Sequence, residues 1–232
     1  AEAMGKKFQG VVDHYLFVGN PGTGKTTVAR IMGNIFYSLG VLPSNRLLEV
    51  TRKDLVEGYV GQTATKTARV VKRAVGGVFF IDEAYSLMGD NFGQEATNTI
   101  LPMLLDYKGK MVCIAAGYPR EIRQWIDTNS GLESRFTKVI HFEDYNPDEL
   151  AQIFRMKVKK DKLTLTPEAE NAMRVYFTDL YNRRERNFAN AREVNNYFDR
   201  VKKNQSSRLR HEMERPGFNP ASYSILLPED MG

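Results

Sequence analysis

The stretch Phe17-Val18-Gly19-Asn20-Pro21-Gly22-Thr23-Gly24-Lys25-Thr26-Thr27 has the spacing G-x-x-x-x-G-K-[ST] of a phosphate cradle. Gly19, Gly22 and Gly24 let the backbone turn tightly enough for several N–H groups to converge on one anion, and a helix that follows adds the positive end of its dipole. Lys25 is placed to reach the β- and γ-phosphates of a nucleoside triphosphate, and the Thr26 hydroxyl to ligate Mg²⁺. Asn20, Pro21, Gly22, Thr23, Gly24, Lys25, Thr26 and Thr27 are therefore the candidate nucleotide-contacting residues. A second stretch supplies what phosphate binding alone lacks. The apolar run Val78-Phe79-Phe80-Ile81 ends in Asp82-Glu83, where Asp82 would hold Mg²⁺ and Glu83 would polarise an attacking water. Together they describe Mg²⁺-dependent hydrolysis of a nucleoside triphosphate to its diphosphate, such as ATP to ADP. The plainer alternatives are a strand–turn–helix corner, and acids set at a helix start for about a few tenths of a kcal/mol.

These residues need strands that end at a common edge. Tyr15 to Val18 reads as a strand feeding the glycine-rich turn, and Thr26 to Leu39 as the helix beyond it, stopped by Gly40 and Pro43. Leu47 to Val50 reads as a second strand, Asp54 to Gly61 as a loop, and Gln62 to Val75 as a helix stopped by Gly76-Gly77. Val78 to Ile81 and Met111 to Ala116 are continuous apolar runs, as parallel strands covered on both faces require. Gly89 to Gly93 reads as a polar loop before a helix from Gln94 to Asp106, Glu121 to Thr128 as a short helix, and Lys138 to Phe142 as the last strand. This alternation predicts an α/β fold, a P-loop parallel sheet with right-handed crossovers and flanking helices. From Asn146 onward strands are expected to stop. Pro147 to Lys160, Pro167 to Tyr181 (Thr166 as N-cap, Pro167 at N1) and Ala191 to Glu214 read as helices. The expected division is an α/β body over 1–145 and a small all-α lid with a C-terminal tail over 146–232.

With 42% apolar residues the chain can pack a core, and no apolar run approaches the roughly 20 residues of a membrane span. No basic–apolar leader opens it, so no membrane partner and a cytoplasmic location are the default expectations. Ala1-Glu2-Ala3-Met4-Gly5-Lys6 reads as the tail of a helix cut off upstream. Cys113 is the single cysteine and sits inside an apolar run, which excludes an internal disulfide and a cysteine metal cluster and leaves an inert core thiol. The formal charge of +5 is uneven, since Arg155 to Arg215 holds 16 basic and 9 acidic residues, a surplus of 7. Such a segment can bind nucleic acid, but basic residues interleaved with acids are more often a solvated helix face.

Gly19 to Thr27, Gly58-Tyr59-Val60-Gly61-Gln62-Thr63-Ala64 and Gly77 to Leu87 together resemble an AAA+ ATPase, and more narrowly the branch holding red-type rubisco activase and relatives of stage V sporulation protein K. Gln94-Glu95-Ala96, Ala116-Gly117-Tyr118, Gly131-Leu132-Glu133-Ser134-Arg135 and Asn190-Ala191-Arg192 continue the likeness in order, over nearly the whole chain. The resemblance implies a homo-oligomeric ring, usually a hexamer, with nucleotide sites between subunits. Arg135 then resembles the arginine finger that reaches a neighbour's γ-phosphate, and Arg192 the second sensor of the lid. Tyr59-Val60-Gly61 corresponds to the loop that lines the central pore and grips a protein substrate, with Met88 to Gly93 as a second pore loop. Tyr118 stands at the first-sensor position, where many members place Asn and this branch places Gly-Tyr. The segment that in the family packs on adenine is expected to lie largely upstream of Ala1. Function is therefore expected to be an ATP-driven motor that remodels or threads a protein. The rival readings are a nucleic-acid translocase or loader, and a nucleotide-dependent scaffold with little turnover.

Overall fold

The computed structural model describes residues 13–59 and 61–232; the expectations for residues 1–6 and for Val60 lie outside these. By their contacts the residues fall into two units: one holds the chain through Gly19 together with Gly24–Phe142, and the other holds Asn20–Thr23 together with Glu143–Gly232.

The first unit is built on a five-stranded parallel sheet. Its strands are β1 (Tyr15–Gly19), β2 (Leu47–Val50), β3 (Val78–Ile81), β4 (Val112–Gly117) and β5 (Lys138–Phe142), in the spatial order β2-β3-β4-β1-β5. The two apolar runs are indeed central: every residue of β3 and β4 is buried. Side chains alternate faces, so Leu16, Val18, Phe79, Ile81, Cys113 and Ala115 enter one core while Phe17, Val78, Phe80, Val112, Ile114 and Ala116 enter the other. Burial raises the Cys113 thiol far above its ordinary range, as an inert core position requires. The flanking helices are α1 (Lys25–Ser38), α2 (Arg52–Leu55), α3 (Gln62–Ala74), α4 (Asn91–Asp106), α5 (Pro119–Asp127) and α6 (Ser130–Arg135).

Three local expectations change here. Residues 54 and 55 are not loop but the end of α2, which a reciprocal pair of bonds between Thr51 and Asp54 initiates. The helix expected from Gln94 starts at Asn91, because the Asp90 carboxylate accepts the Gly93 N–H at 2.8 Å and Arg52 grips that carboxylate at 2.6 Å. Within the span Met88 to Gly93, the residues from Asn91 on thereby form the first turn of α4, and Met88 to Asp90 precede it. Ser134-Arg135, read as a lead-in to the last strand, closes α6.

The second unit packs α7 (Pro147–Lys160), α8 (Pro167–Asn182), α9 (Ala191–Met213) and the short α10 (Pro228–Met231) around Phe154, Phe177, Tyr197 and Phe198. Asn146 and Glu149 cap α7 reciprocally, and the Thr166 hydroxyl accepts the Ala169 N–H as N-cap of α8. The strands do not quite stop at Asn146. Thr164–Leu165 and Ile225–Leu226 form a two-residue parallel pair, β6 and β7, too short to leave any periodic signal. It is held from α9, where Gln205 Nε2 donates to Tyr223 O and Ile225 O and Arg208 donates to Ile225 O.

Arg208 also makes a two-pronged pair with Asp230, at 2.9 and 3.0 Å, and the two side chains are 9% and 1% exposed. Removing one partner strands the other charge in the interior. Arg208→Ala is therefore expected to cost about 3–5 kcal/mol in denaturant unfolding. A loss below about 1 kcal/mol would show that Asp230 finds water or another cation.

Candidate active site

The carboxyl ends of β1, β3 and β4 lie side by side, since Val18 pairs with Gly117 and Ile81 with Ala115. In an open parallel sheet that edge is where ligands bind. At the end of β1 the chain enters the glycine-rich turn, and Gly24 (φ 91°) is the N-cap of α1. Gly22 also has positive φ (71°), and a Cβ there would sit 2.2 Å from Ala189 O, so no other residue fits. The Lys25 ammonium lies 2.9 Å from Gly19 O, which holds its charge within the turn. The Thr23 hydroxyl bonds back to Asn20 O at 2.8 Å, and Thr27 is exposed.

One residue past β3, Asp82 is half-buried and its backbone N–H donates to Val50 O at 2.8 Å. Its Oδ1 accepts the Glu83 N–H at 3.1 Å. Glu83 is exposed, in left-handed backbone conformation (φ 51°, ψ 46°), which costs a residue with a Cβ on the order of 1 kcal/mol or more. The Thr26 hydroxyl stands 3.5 Å from Glu49 Oε1 on β2, a carboxylate that the motif reading left out. Among the described residues no group of three or more His, Cys, Asp and Glu side chains is arranged to hold a metal. A sparse set of hard oxygens, the Thr26 hydroxyl beside the Glu49 carboxylate of β2 and the Asp82 carboxylate one residue past the neighbouring β3, fits Mg²⁺, which keeps several waters and takes its other ligands from phosphate.

Tyr118 follows β4 as N-cap of α5, half-buried, its ring 5.8 Å from that of Tyr85. Tyr85 is the residue that sequence reasoning missed. Its ring lies against Gly117, where a Cβ would come within 2.7 Å of it. Burial first, and then the negative charge of Glu83, push the Tyr85 hydroxyl up to about 12, so it stays protonated as a donor beside the acids. The Gly-Tyr pair after β4 is thus matched to an aromatic neighbour rather than to an amide.

In the second unit the loop tip Asn20–Thr23 meets the start of α9. Asn190, 0% exposed and at φ 51°, ψ −118°, donates from Nδ2 to Asp144 Oδ1 at 2.7 Å and to Pro21 O at 3.3 Å. Asn20 Nδ2 donates to the same Asp144 oxygen at 2.9 Å. Arg192, the second residue of α9, is exposed.

Arg135 and Tyr59 stand apart from these residues on other elements. Arg135 ends α6 and lines a cavity of about 210 Å³ with Asp13, His14, Lys108 and Thr137. Its Nη1 donates to Ser134 Oγ at 2.7 Å, while its buried Nε has no hydrogen-bond partner among the described residues. Tyr59 is 73% exposed between α2 and α3, and Gly61 (φ 80°) is the N-cap of α3.

Comparison with known proteins places this geometry. Residues 15–144 match the family model "ATPase family associated with various cellular activities (AAA)", and residues 146–232 match the AAA lid domain. The chain is 43% identical over 201 residues to the chloroplastic ribulose bisphosphate carboxylase/oxygenase activase of Cyanidioschyzon merolae, covering 84% of this chain and 68% of that protein. It is 44% identical over 173 residues to the ESX-1 secretion system protein EccA1 of Mycobacterium tuberculosis, covering 72% of this chain and 30% of that protein. The solved FIGL-1 AAA domain superposes with a TM-score of 0.65 at 16% identity, over 95% of this chain and 69% of that one, a likeness of fold. The likeness to rubisco activase read from the motifs is thus present along the chain, and the protein belongs to the AAA family of ATPases.

Proposed function

We propose that this chain is the motor of a homo-oligomeric ring, with a hexamer as the expected form, that uses ATP to remodel or thread a protein partner. In this reading the α/β body through Tyr145 binds and hydrolyses ATP and the helical lid from Asn146 transmits the nucleotide state. The N–H groups of Gly22, Thr23 and Gly24 and the Lys25 ammonium bind phosphate, Thr26 and Asp82 hold Mg²⁺, and Glu83 takes up the proton of the attacking water. Mg²⁺, when bound, neutralises charge on the phosphate oxygens. Tyr118, with Tyr85 beside it, borders the reacting phosphate, and Arg192 contacts it from the lid. Arg135 acts on the neighbouring subunit's nucleotide, where a guanidinium stabilises the charge that develops on the phosphate oxygens.

The observation that carries the motor reading is Tyr59, a large aromatic left 73% exposed on a loop that a positive-φ glycine terminates. An amphipathic ring on such a tip contacts any polypeptide without requiring a sequence. The two relatives, one named for rubisco and the other for a secretion system, share a similar identity with this chain, which supports a protein partner without singling one out. The nucleic-acid reading is not favoured, because many cations of the basic helices are engaged: Arg155 with Glu170, Arg174 with Asp148 and Glu170, Arg183 with Asp179, Lys202 with Asp161.

Tyr59→Ala is expected to leave basal ATPase within about twofold of wild type, because Tyr59 is exposed and lies outside the glycine-rich turn, while remodelling of the partner falls at least tenfold. Partner trapping by Glu83→Gln, followed by mass spectrometry, supplies the substrate for that assay. Loss of ATPase and remodelling in parallel, or a melting temperature lowered by many degrees, would make Tyr59 a structural residue and remove the support for a pore.

A further inference from the structure

Consecutive carbonyls of the phosphate loop are held by donors from the far end of the sequence. Pro21 O accepts from Asn190 Nδ2 at 3.3 Å, Gly22 O from the Ala191 N–H at 3.2 Å, and Thr23 O from the Tyr145 hydroxyl at 3.0 Å. In a planar trans peptide the C=O and N–H point in opposite directions, so fixing these oxygens turns the N–H groups of Gly22, Thr23 and Gly24 the other way, together. Among the described residues none of those three N–H groups donates to a protein acceptor. Three adjacent N–H groups turned to one side make an anion nest.

The donors are themselves immobilised. Asn190 is buried, its Oδ1 accepts the Tyr145 N–H at 2.8 Å, and its Nδ2 also meets Asp144 Oδ1 and Phe188 O, so its amide has no second orientation that satisfies these partners. Its backbone conformation, φ 51° with ψ −118°, is one that glycine adopts far more readily. A residue kept there against its preference is kept for its side chain.

We propose that Asn190 and Tyr145, with the Ala191 amide, are positioning residues that aim the phosphate-loop N–H groups before nucleotide arrives. The proposal rests on the nucleotide reading and adds to it. The nest is preorganised by side chains of the second unit, so phosphate affinity is set by residues that do not themselves touch phosphate.

The test uses Tyr145→Phe, which removes one hook and keeps the ring, and Asn190→Gly, which removes the amide hook while relieving the backbone. Calorimetry with ATP and with inorganic tripolyphosphate is read beside the melting temperature of the nucleotide-free protein. Tyr145→Phe is expected to weaken both ligands about 3- to 10-fold and Asn190→Gly at least 10-fold, with equal factors for the two ligands, since the effect lies on phosphate and not on the base. The melting temperature of nucleotide-free Tyr145→Phe should stay within a few degrees of wild type. Affinities within twofold of wild type for Tyr145→Phe, in a protein whose Lys25→Ala variant no longer binds, would overturn the positioning role and leave the nucleotide reading standing. Should wild type bind neither ligand, both fall together. If Asn190→Gly fails to fold, Tyr145→Phe decides alone.

Discussion

Lys25→Ala is expected to abolish nucleotide binding, whereas Glu83→Gln keeps binding and loses turnover. Lys25 opens α1 beyond the turn that follows β1, and Glu83 lies two residues past β3, so in the proposed reading the first serves binding and the second turnover. The Lys25 ammonium is held 2.9 Å from Gly19 O, inside the glycine-rich turn. An opposite charge about 4 Å away in a site of intermediate dielectric contributes about 4 kcal/mol, roughly a thousandfold in affinity. Alanine removes that charge and leaves the turn, whose shape depends on Gly22 and Gly24 rather than on the lysine. Glu83→Gln keeps the side-chain length and places the same Cβ in the left-handed backbone, but an amide cannot take a proton from water. Its ATP affinity should stay within a few-fold of wild type while hydrolysis falls by about a hundredfold or more. Calorimetry showing equal affinity for wild type and Lys25→Ala would sink the first expectation. A phosphate-release rate for Glu83→Gln equal to that of wild type would sink the second.

What the sequence made legible and what it hid divide along a physical line. β3 and β4 were readable because a strand covered on both faces must be apolar at every position, and Val78 to Ile81 and Met111 to Ala116 are. The glycine-rich turn was readable because glycine, lysine and threonine at fixed spacing mark it locally, whereas the donors that hold its carbonyls, Tyr145, Asn190 and Ala191, lie far off in sequence and left no such signal. The short elements were not. Helix α2 spans only Arg52 to Leu55 and exists because Thr51 and Asp54 cap it, and β6 and β7 hold two residues each. The start of α4 was set by one carboxylate, Asp90, whose N-cap role looks the same in sequence as a loop aspartate. Asn190 stands in the stretch Asn190-Ala191-Arg192, but its place as a hub left no signal there, since its partners Pro21, Asp144 and Tyr145 are brought to it only by the fold. The available signal was an asparagine directly before a helix start with a buried phenylalanine two residues earlier, Phe188, a pattern that permits positive φ without demanding it. Tyr85 was hidden for a similar reason, as its role depends on the missing side chain of Gly117.

Arg135→Ala is expected to bind ATP normally and hydrolyse it poorly, by on the order of a thousandfold, if its guanidinium stabilises charge on a neighbour's phosphate. Its surroundings suit that role. Arg135 closes α6 just before β5, and among the described residues its Nη1 donates to Ser134 Oγ and to no acid, while its buried Nε has no partner. A guanidinium of purely structural purpose would be expected to spend its donors on acids within its own chain, as Arg208 does on Asp230. Mixing separates a finger acting between subunits from any role within one. Lys25→Ala chains have dead sites but an intact Arg135, while Arg135→Ala chains have intact sites that lack their neighbour's finger. In a ring, combining the two should restore turnover at each Arg135→Ala site that faces a Lys25→Ala subunit, so the mixture exceeds the sum of its parts. A monomeric enzyme gives the sum alone. If rates stay additive where sedimentation shows mixed rings, Arg135 does not act across the interface. Arg120 then becomes the next residue to test ahead of Arg123, since Arg123 is paired with Asp127 at 3.2 Å.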